Sequence, residues 1–178
     1  MITESDYWLR DLQKNVTYFH EKLGQRVWRE SSFAALEKRI MLSCYIVRKL
    51  VESNKISPDN YQVEIYLYAY KNKGKIVDIL NSHIINDLYE IDEPVVMAKP
   101  FSYVINQIIH SFIFQFAFEG RNQISGVLFN SDKSKNKIIY LMKLKDLIGV
   151  LSPIAQCYIG TTIFERNKDG ELVLVSAK

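Results

Sequence analysis

The chain has 178 residues, 48% of them hydrophobic and 24% charged, with only 7 Gly, 4 Pro and a net charge of +3. A chain of this size buries about 70% of the surface its unfolded form exposes, so it needs neither a metal nor a disulfide to fold, and its composition excludes a disordered or linker-rich polypeptide. The small net charge is no argument for nucleic acid by itself, and we expect one globular domain over 1–178.

Taken in chain order, residues 4–23 carry Tyr7, Trp8, Leu12, Val16, Phe19 and Leu23 at three- and four-residue steps, which predicts an amphipathic helix stopped at Gly24. A second helix is expected over about 31–53, capped by Ser31 or Ser32, with the Ser57-Pro58 pair closing the turn behind it. Tyr61 to Lys71 alternates and reads as a strand, with Val63, Ile65, Leu67 and Ala69 on one face and Tyr66, Tyr68 and Tyr70 on the other. Asn72 to Lys75 is a turn, 77–88 a short helix, and an extended acidic segment leads to Pro94 and Pro100. Pro100 is suited to open a third helix, expected over 101–118 and buried on most sides because it carries no charged residue from Phe101 to Phe118. Polar residues interrupt that run, so it is read as a core helix and not a membrane span. Ile124–Asn130 and Ile138–Met142 form a hairpin around the polar loop Ser131–Lys137, and Lys145–Leu151 is a short helix ending near Pro153. Cys157–Arg166 and Leu172–Val175 close the chain as a hairpin whose tight turn is Asp169-Gly170. Helices come first and strands mostly later, which predicts an α+β fold: N-terminal helices and a buried central helix on a mostly antiparallel sheet of about five strands.

The residues from Met1 to Leu12 are acidic early and hold no apolar segment, so no signal peptide is expected and the chain is read as soluble and cytoplasmic. Cys44 and Cys157 are far apart and read as two reduced thiols. With three histidines and no ligand spacing, neither a metal nor another cofactor is expected. Glycine-rich phosphate loops, the nucleophile elbow and the zinc-protease motif are all missing, which argues against nucleotide hydrolysis, nicotinamide chemistry and serine hydrolysis in their common forms.

Four features remain as candidates. Asn106 and His110 stand four residues apart on the expected third helix, where Asn106 can orient one ring nitrogen of His110 and leave the other to act. Arg39 falls in the apolar arc of the second helix, on the side of Leu36, Leu42, Ile46 and Leu50. Tyr66, Tyr68 and Tyr70 run into Lys71, Lys73 and Lys75, a pattern that serves base stacking or a protein interface. Lys133, Lys135 and Lys137 form a basic hairpin tip, while Asp87, Glu90, Asp92 and Glu93 form an acidic cluster without a calcium-loop pattern.

The run Ile105-Asn106-Gln107-Ile108-Ile109-His110 resembles, in its polar residue and its histidine, the arginine–polar–xxx–histidine motif of the HEPN ribonucleases. Ile105 stands where that motif has arginine, and the strand-rich C-terminal third departs from an all-helical HEPN fold. The resemblance implies metal-independent RNA cleavage with His110 as the acid–base group, and Arg39 would then supply the phosphate-binding cation from a neighbouring helix. Against this enzyme reading stand two others. A non-catalytic interaction protein, an accessory subunit or adaptor, is the leading one, its partner another protein or a second copy. An RNA- or DNA-binding protein using the tyrosines and the two lysine clusters is the third. No membrane partner is expected.

Overall fold

A computed structural model describes residues 2–157, 162–170 and 172–177. Its elements are α1 (Ser5–Leu23), α2 (Glu30–Glu52), α3 (Asp59–Gln62), β1 (Glu64–Lys71), α4 (Ile85–Leu88), β2 (Val95–Pro100), α5 (Phe101–Ile109), β3 (Ser111–Glu119), β4 (Gln123–Ser131), β5 (Ile138–Lys143), α6 (Leu144–Ala155), β6 (Thr162–Arg166) and β7 (Leu172–Ala177). The fold is α+β. Five strands pair antiparallel in the order β2-β1-β5-β4-β3, and β6 and β7 form a separate two-stranded sheet.

The five-stranded sheet differs from expectation in its members. The expected third helix stops after nine residues at Ile109, and Ser111 to Glu119 is an edge strand instead. The reason lies in the spacing: Phe112, Phe114, Phe116 and Phe118 recur every second residue, and aromatic side chains favour the pleated surface. The acidic segment ahead of Pro100 contributes β2, the other edge. Among the described residues the final hairpin, expected among the five, pairs within itself as a separate sheet, and residues 158–161 of its first expected strand lie outside the described residues.

Several boundaries also move. Tyr61 and Gln62 belong to α3, a single turn begun at Pro58, and the strand starts at Glu64. The helix expected at 77–88 survives only as α4, because the Asp78 carboxylate accepts from the backbone N–H of Leu80 and Asn81, and the Asn81 amide donates to the Ile76 carbonyl. Such side-chain bonds compete with helix formation. Arg29, not Ser31 or Ser32, stands at the N-cap of α2. The last helix continues through Pro153 to Ala155, with the Ser152 hydroxyl donating to the Ile148 carbonyl one turn back.

One face of the sheet carries the main core. Leu12, Val16 and Phe19 of α1, Leu36, Ile40 and Leu50 of α2, Val104 and Ile108 of α5, and Leu147 and Leu151 of α6 cover Ile65, Leu67, Val127, Phe129 and Met142. Across this face Ala69, Tyr140, Phe129 and Phe114 stand in register on four successive strands. Tyr140 shares a 2.8 Å hydrogen bond with Tyr103 of α5, and burial raises its phenol well above the ordinary range. Gly126 permits the close approach of β4 and β5, since a Cβ there would collide with the Met142 carbonyl. The link between α1 and α2 is tied to the β3–β4 turn: Trp28 donates to the Asn122 carbonyl, Gln123 to the Leu23 carbonyl, and Trp28 stacks on Phe33.

The opposite, outer face is covered only in part. Val77, Ile85, Leu88 and Tyr89 from the excursion between β1 and β2 pack on Tyr70, Ile113 and Ile139. A fully buried Asn130 fastens this cover. Its amide nitrogen donates to the Tyr89 hydroxyl (2.8 Å) and the Ile138 carbonyl (3.2 Å), and its oxygen accepts from the Ile113 N–H (3.3 Å). The Tyr89 hydroxyl donates onward to the Lys135 carbonyl at 2.6 Å.

Two outcomes test this arrangement. Asn130→Ala removes a hydrogen-bond partner from three segments and is expected to cost about 2–3 kcal/mol in urea unfolding; a loss within experimental error would show that the cover does not depend on it. Cys44 is wholly buried and burial pushes its thiol up to about 12, whereas Cys157 is half-buried. At about pH 8 a thiol reagent should label one cysteine in the native protein and both in denaturant, as read by mass spectrometry. Rapid native labelling of both would place Cys44 outside the core.

Candidate functional site

The tyrosine stripe of β1 is divided by the cover. Tyr70 is buried beneath it, Tyr68 is half-buried, and Tyr66 is 61% exposed. The Lys143 ammonium lies 4.8 Å from the Tyr68 ring centroid, and a hydrogen bond to Tyr68 holds it above the usual lysine range. Tyr68 belongs to a row that crosses the whole sheet, Val96–Tyr68–Leu141–Leu128–Gln115, each paired directly with the next. Leu141, Leu128 and Gln115 are half-exposed and floor an open groove of about 450 Å³, walled by His83, Ile84 and Ile91 of the excursion. Gln115 reaches that wall by donating to the Ser82 carbonyl at 3.2 Å.

The excursion and the strand that follows it leave large apolar side chains in water. Ile79 and Leu80 are 83% and 81% exposed, and Ile76 and Val96 are also exposed. Single exposed apolar residues are ordinary, but several on one short excursion beside an apolar sheet row are the mark of an interaction surface. Sequence reasoning did not single out Ile79, Leu80, Leu128 or Leu141. The available signal was an apolar pair inside an Asp/Asn-rich turn segment, where no helical or strand period accounts for it.

The two lysine clusters do meet at one end of the sheet. The Asn72 N–H donates to the Lys137 carbonyl, which sets Lys71, Lys73 and Lys75 beside the tip holding Lys133, Lys135 and Lys137. The acidic cluster arrives at the same place: the Lys73 N–H donates to the Leu88 carbonyl and the Glu90 N–H to the Lys71 carbonyl. Lys73 Nζ donates to the Asn86 carbonyl at 2.7 Å, and Lys135 lies 3.6 Å over the Phe112 ring while pairing with Asp132. The end of the sheet is thus of mixed charge, and the exposed Tyr66 sits five residues along β1 from Lys71.

Asn106 and His110 are both exposed, with His110 at the C-cap of α5 and not within a longer helix. Asn106 Oδ1 faces Arg48 at 3.5 Å, and Arg48 is itself paired with Glu52 at 2.8 Å. Arg39 is elsewhere: it bonds Asn15 of α1 and stacks over Tyr18. The structure therefore does not bring together the histidine and the arginine that the resemblance to the HEPN motif would need. Among the described residues no group of three or more His, Cys, Asp or Glu is placed to hold a metal ion, and no helix is long and apolar enough to cross a membrane.

No family model, curated protein or solved structure matches the chain. The site must be read from its own chemistry.

The split of the tyrosine stripe has a measurable consequence. Tyr70→Ala is expected to destabilise the fold by about 3 kcal/mol, because it opens a cavity under the cover. Tyr66→Ala should stay within about 0.5 kcal/mol of the parent in the same denaturation experiment. Equal losses would mean that both rings are structural.

Proposed function

We propose that this chain is a non-catalytic interaction protein, an accessory subunit or adaptor, that holds a protein partner on the open part of its outer sheet face. The observation that carries this reading is the half-exposed row Val96–Tyr68–Leu141–Leu128, together with Ile79 and Leu80 exposed on the same excursion that supplies His83, Ile84 and Ile91 to the groove wall. Burying such side chains against a partner removes apolar surface from water at roughly 25 cal/mol per Å². Tyr66 and Tyr68 add amphipathic rings of the type enriched at protein interfaces.

Nucleic acid is the less favoured occupant. Base stacking needs free ring faces beside free cations. Here Lys143 occupies the Tyr68 ring, Tyr70 is covered, and the lysines at the end of the sheet share their surface with Glu90 and Asp132. A ribonuclease reading is likewise weakened by the Glu52 carboxylate that neutralises Arg48 beside Asn106.

The test is recovery of the tagged protein from a lysate of its native host, with and without nuclease, alongside an Ile79→Asp/Leu80→Asp variant and a Tyr66→Glu variant of unchanged thermal stability. A protein partner should survive nuclease and fall about tenfold or more with either variant, as expected for loss of an apolar anchor. Partners that vanish on nuclease treatment, or that both variants retain fully, would refute the reading. Size-exclusion chromatography of the same proteins separates a foreign partner from a second copy.

A further inference from the structure

The first two helices run antiparallel. Trp8 meets Tyr45 with ring centroids 6.3 Å apart at one end of their seam, and Asn15 meets Ser43 and Arg39 further along it. On the outside of the seam lies a groove of about 660 Å³, away from the outer sheet face. This volume falls within the roughly 300–1,000 Å³ typical of small-molecule sites. Its lining is divided along its length. Trp8, Leu42 and Tyr45 occupy one part, and Lys38 and Arg39 the other. Tyr45 stands six helical steps beyond Arg39, a rise of about 9 Å.

Arg39 is held in place by everything except an acid. Its guanidinium carbon sits 4.4 Å from the Tyr18 ring centroid, and one amine donates to Asn15 Oδ1 at 2.7 Å. Asn15 is itself buried: its amide nitrogen donates to the Ser43 hydroxyl at 3.1 Å, and that hydroxyl donates to the Arg39 carbonyl at 2.7 Å. This closed set of bonds fixes the plane of the guanidinium while using one of its five donors. Asp11, the acid in the groove lining, is taken by Lys14 at 2.8 Å. Among the described residues no carboxylate lies within ion-pair distance of Arg39 or Lys38. A guanidinium fork that is fixed, unpaired and beside an apolar channel is organised in advance for an anion, so little entropy remains to be lost on binding.

We infer that this groove binds an elongated amphiphile with a single anionic head, a carboxylate or a phosphate monoester. The head docks on Arg39 with Lys38 beside it, and an alkyl or aryl body lies along Leu42 toward Trp8 and Tyr45. Confinement of the unpaired positive charge to one part of the lining selects a ligand with one terminal anion over an acidic helix, which repeats its carboxylates turn by turn.

Isothermal titration calorimetry of the full chain with decanoate, decyl phosphate, decanol and decyltrimethylammonium tests this directly. At least one of the two anions should bind with a Kd below about 1 mM, and whichever binds tighter identifies the head. Decanol should bind at least about tenfold more weakly, the loss of a charge-assisted hydrogen bond, and the ammonium not measurably. Arg39→Gln should reduce anion binding about tenfold or more and leave decanol unchanged. Since Arg39→Gln also removes a partner of Asn15, Tyr45→Ala at a 44% exposed position serves as the second variant, and it should weaken anions and decanol alike. Decanol binding as tightly as the anions, anion binding indifferent to both variants, or no anion binding below about 1 mM would each overturn the inference.

Discussion

The side chain of Asn130 decides how much of the outer sheet face is available. It is wholly buried, and it joins β3 through the Ile113 N–H, β5 through the Ile138 carbonyl, and the excursion between β1 and β2 through the Tyr89 hydroxyl. A buried amide with unmet bonds is costly, so the three segments hold one another in a single arrangement. Tyr89 extends the constraint to the β4–β5 loop through the Lys135 carbonyl. With the excursion fastened at that end of the sheet, the row through Tyr68, Leu141 and Leu128 stays half-exposed, and Ile79 and Leu80 are carried into water.

The two sheet faces therefore serve different ends. The inner face is sealed by four helices and joined to α5 by the Tyr103–Tyr140 hydroxyl pair, with Gly126 allowing the strands to close up. The larger hydrophobic cluster lies there. The outer face gives up apolar burial that a further helix could supply, which is a loss for an isolated chain and a gain for one that docks a partner. The mixed charge where Lys71 meets Glu90 follows from the same excursion, since its strand-like pairing with the residues at the end of β1 delivers an acidic side chain to the lysines.

Much of the fold was legible because burial imposes a period. Leu12, Val16 and Phe19 declare α1, although Tyr7 of the same pattern is exposed and Leu9 is buried, and Ile65, Leu67 and Ala69 declare the inner side of β1. The error at 101–118 arose where two periods adjoin without punctuation: Val104, Ile105 and Ile108 keep helical spacing, and two residues past Ile109 a strand begins with the alternation of Phe112, Phe114, Phe116 and Phe118. No Gly or Pro marks the change, and the absence of charge suited a buried helix as well as a strand. The site was less legible. Alternation places Tyr66, Tyr68 and Tyr70 on one face, yet their exposure depends on a cover from residues 76–91 that no local rule positions. Arg39 was visible as a cation in an apolar arc; its partner Asn15, 24 residues earlier, was not.

Two arginines of α2 show what a static structure adds to such a pattern. Arg48 and Arg39 are nine residues apart on one helix, and both touch an asparagine of another helix. Arg48 is compensated by Glu52 one turn away, an exposed i,i+4 pair of the kind that contributes little beyond neutralising itself. Among the described residues Arg39 has no such acid, and the residues that hold it, Tyr18, Asn15 and Ser43, are neutral. Holding a cation rigid with neutral partners costs side-chain entropy and leaves its charge unmet by the protein. A purely structural arginine would gain from a carboxylate at Asn15, which the helix seam could carry at the same length. The asparagine keeps the geometry of that pair while withholding its charge, and the charge is then free to act on an anion from outside.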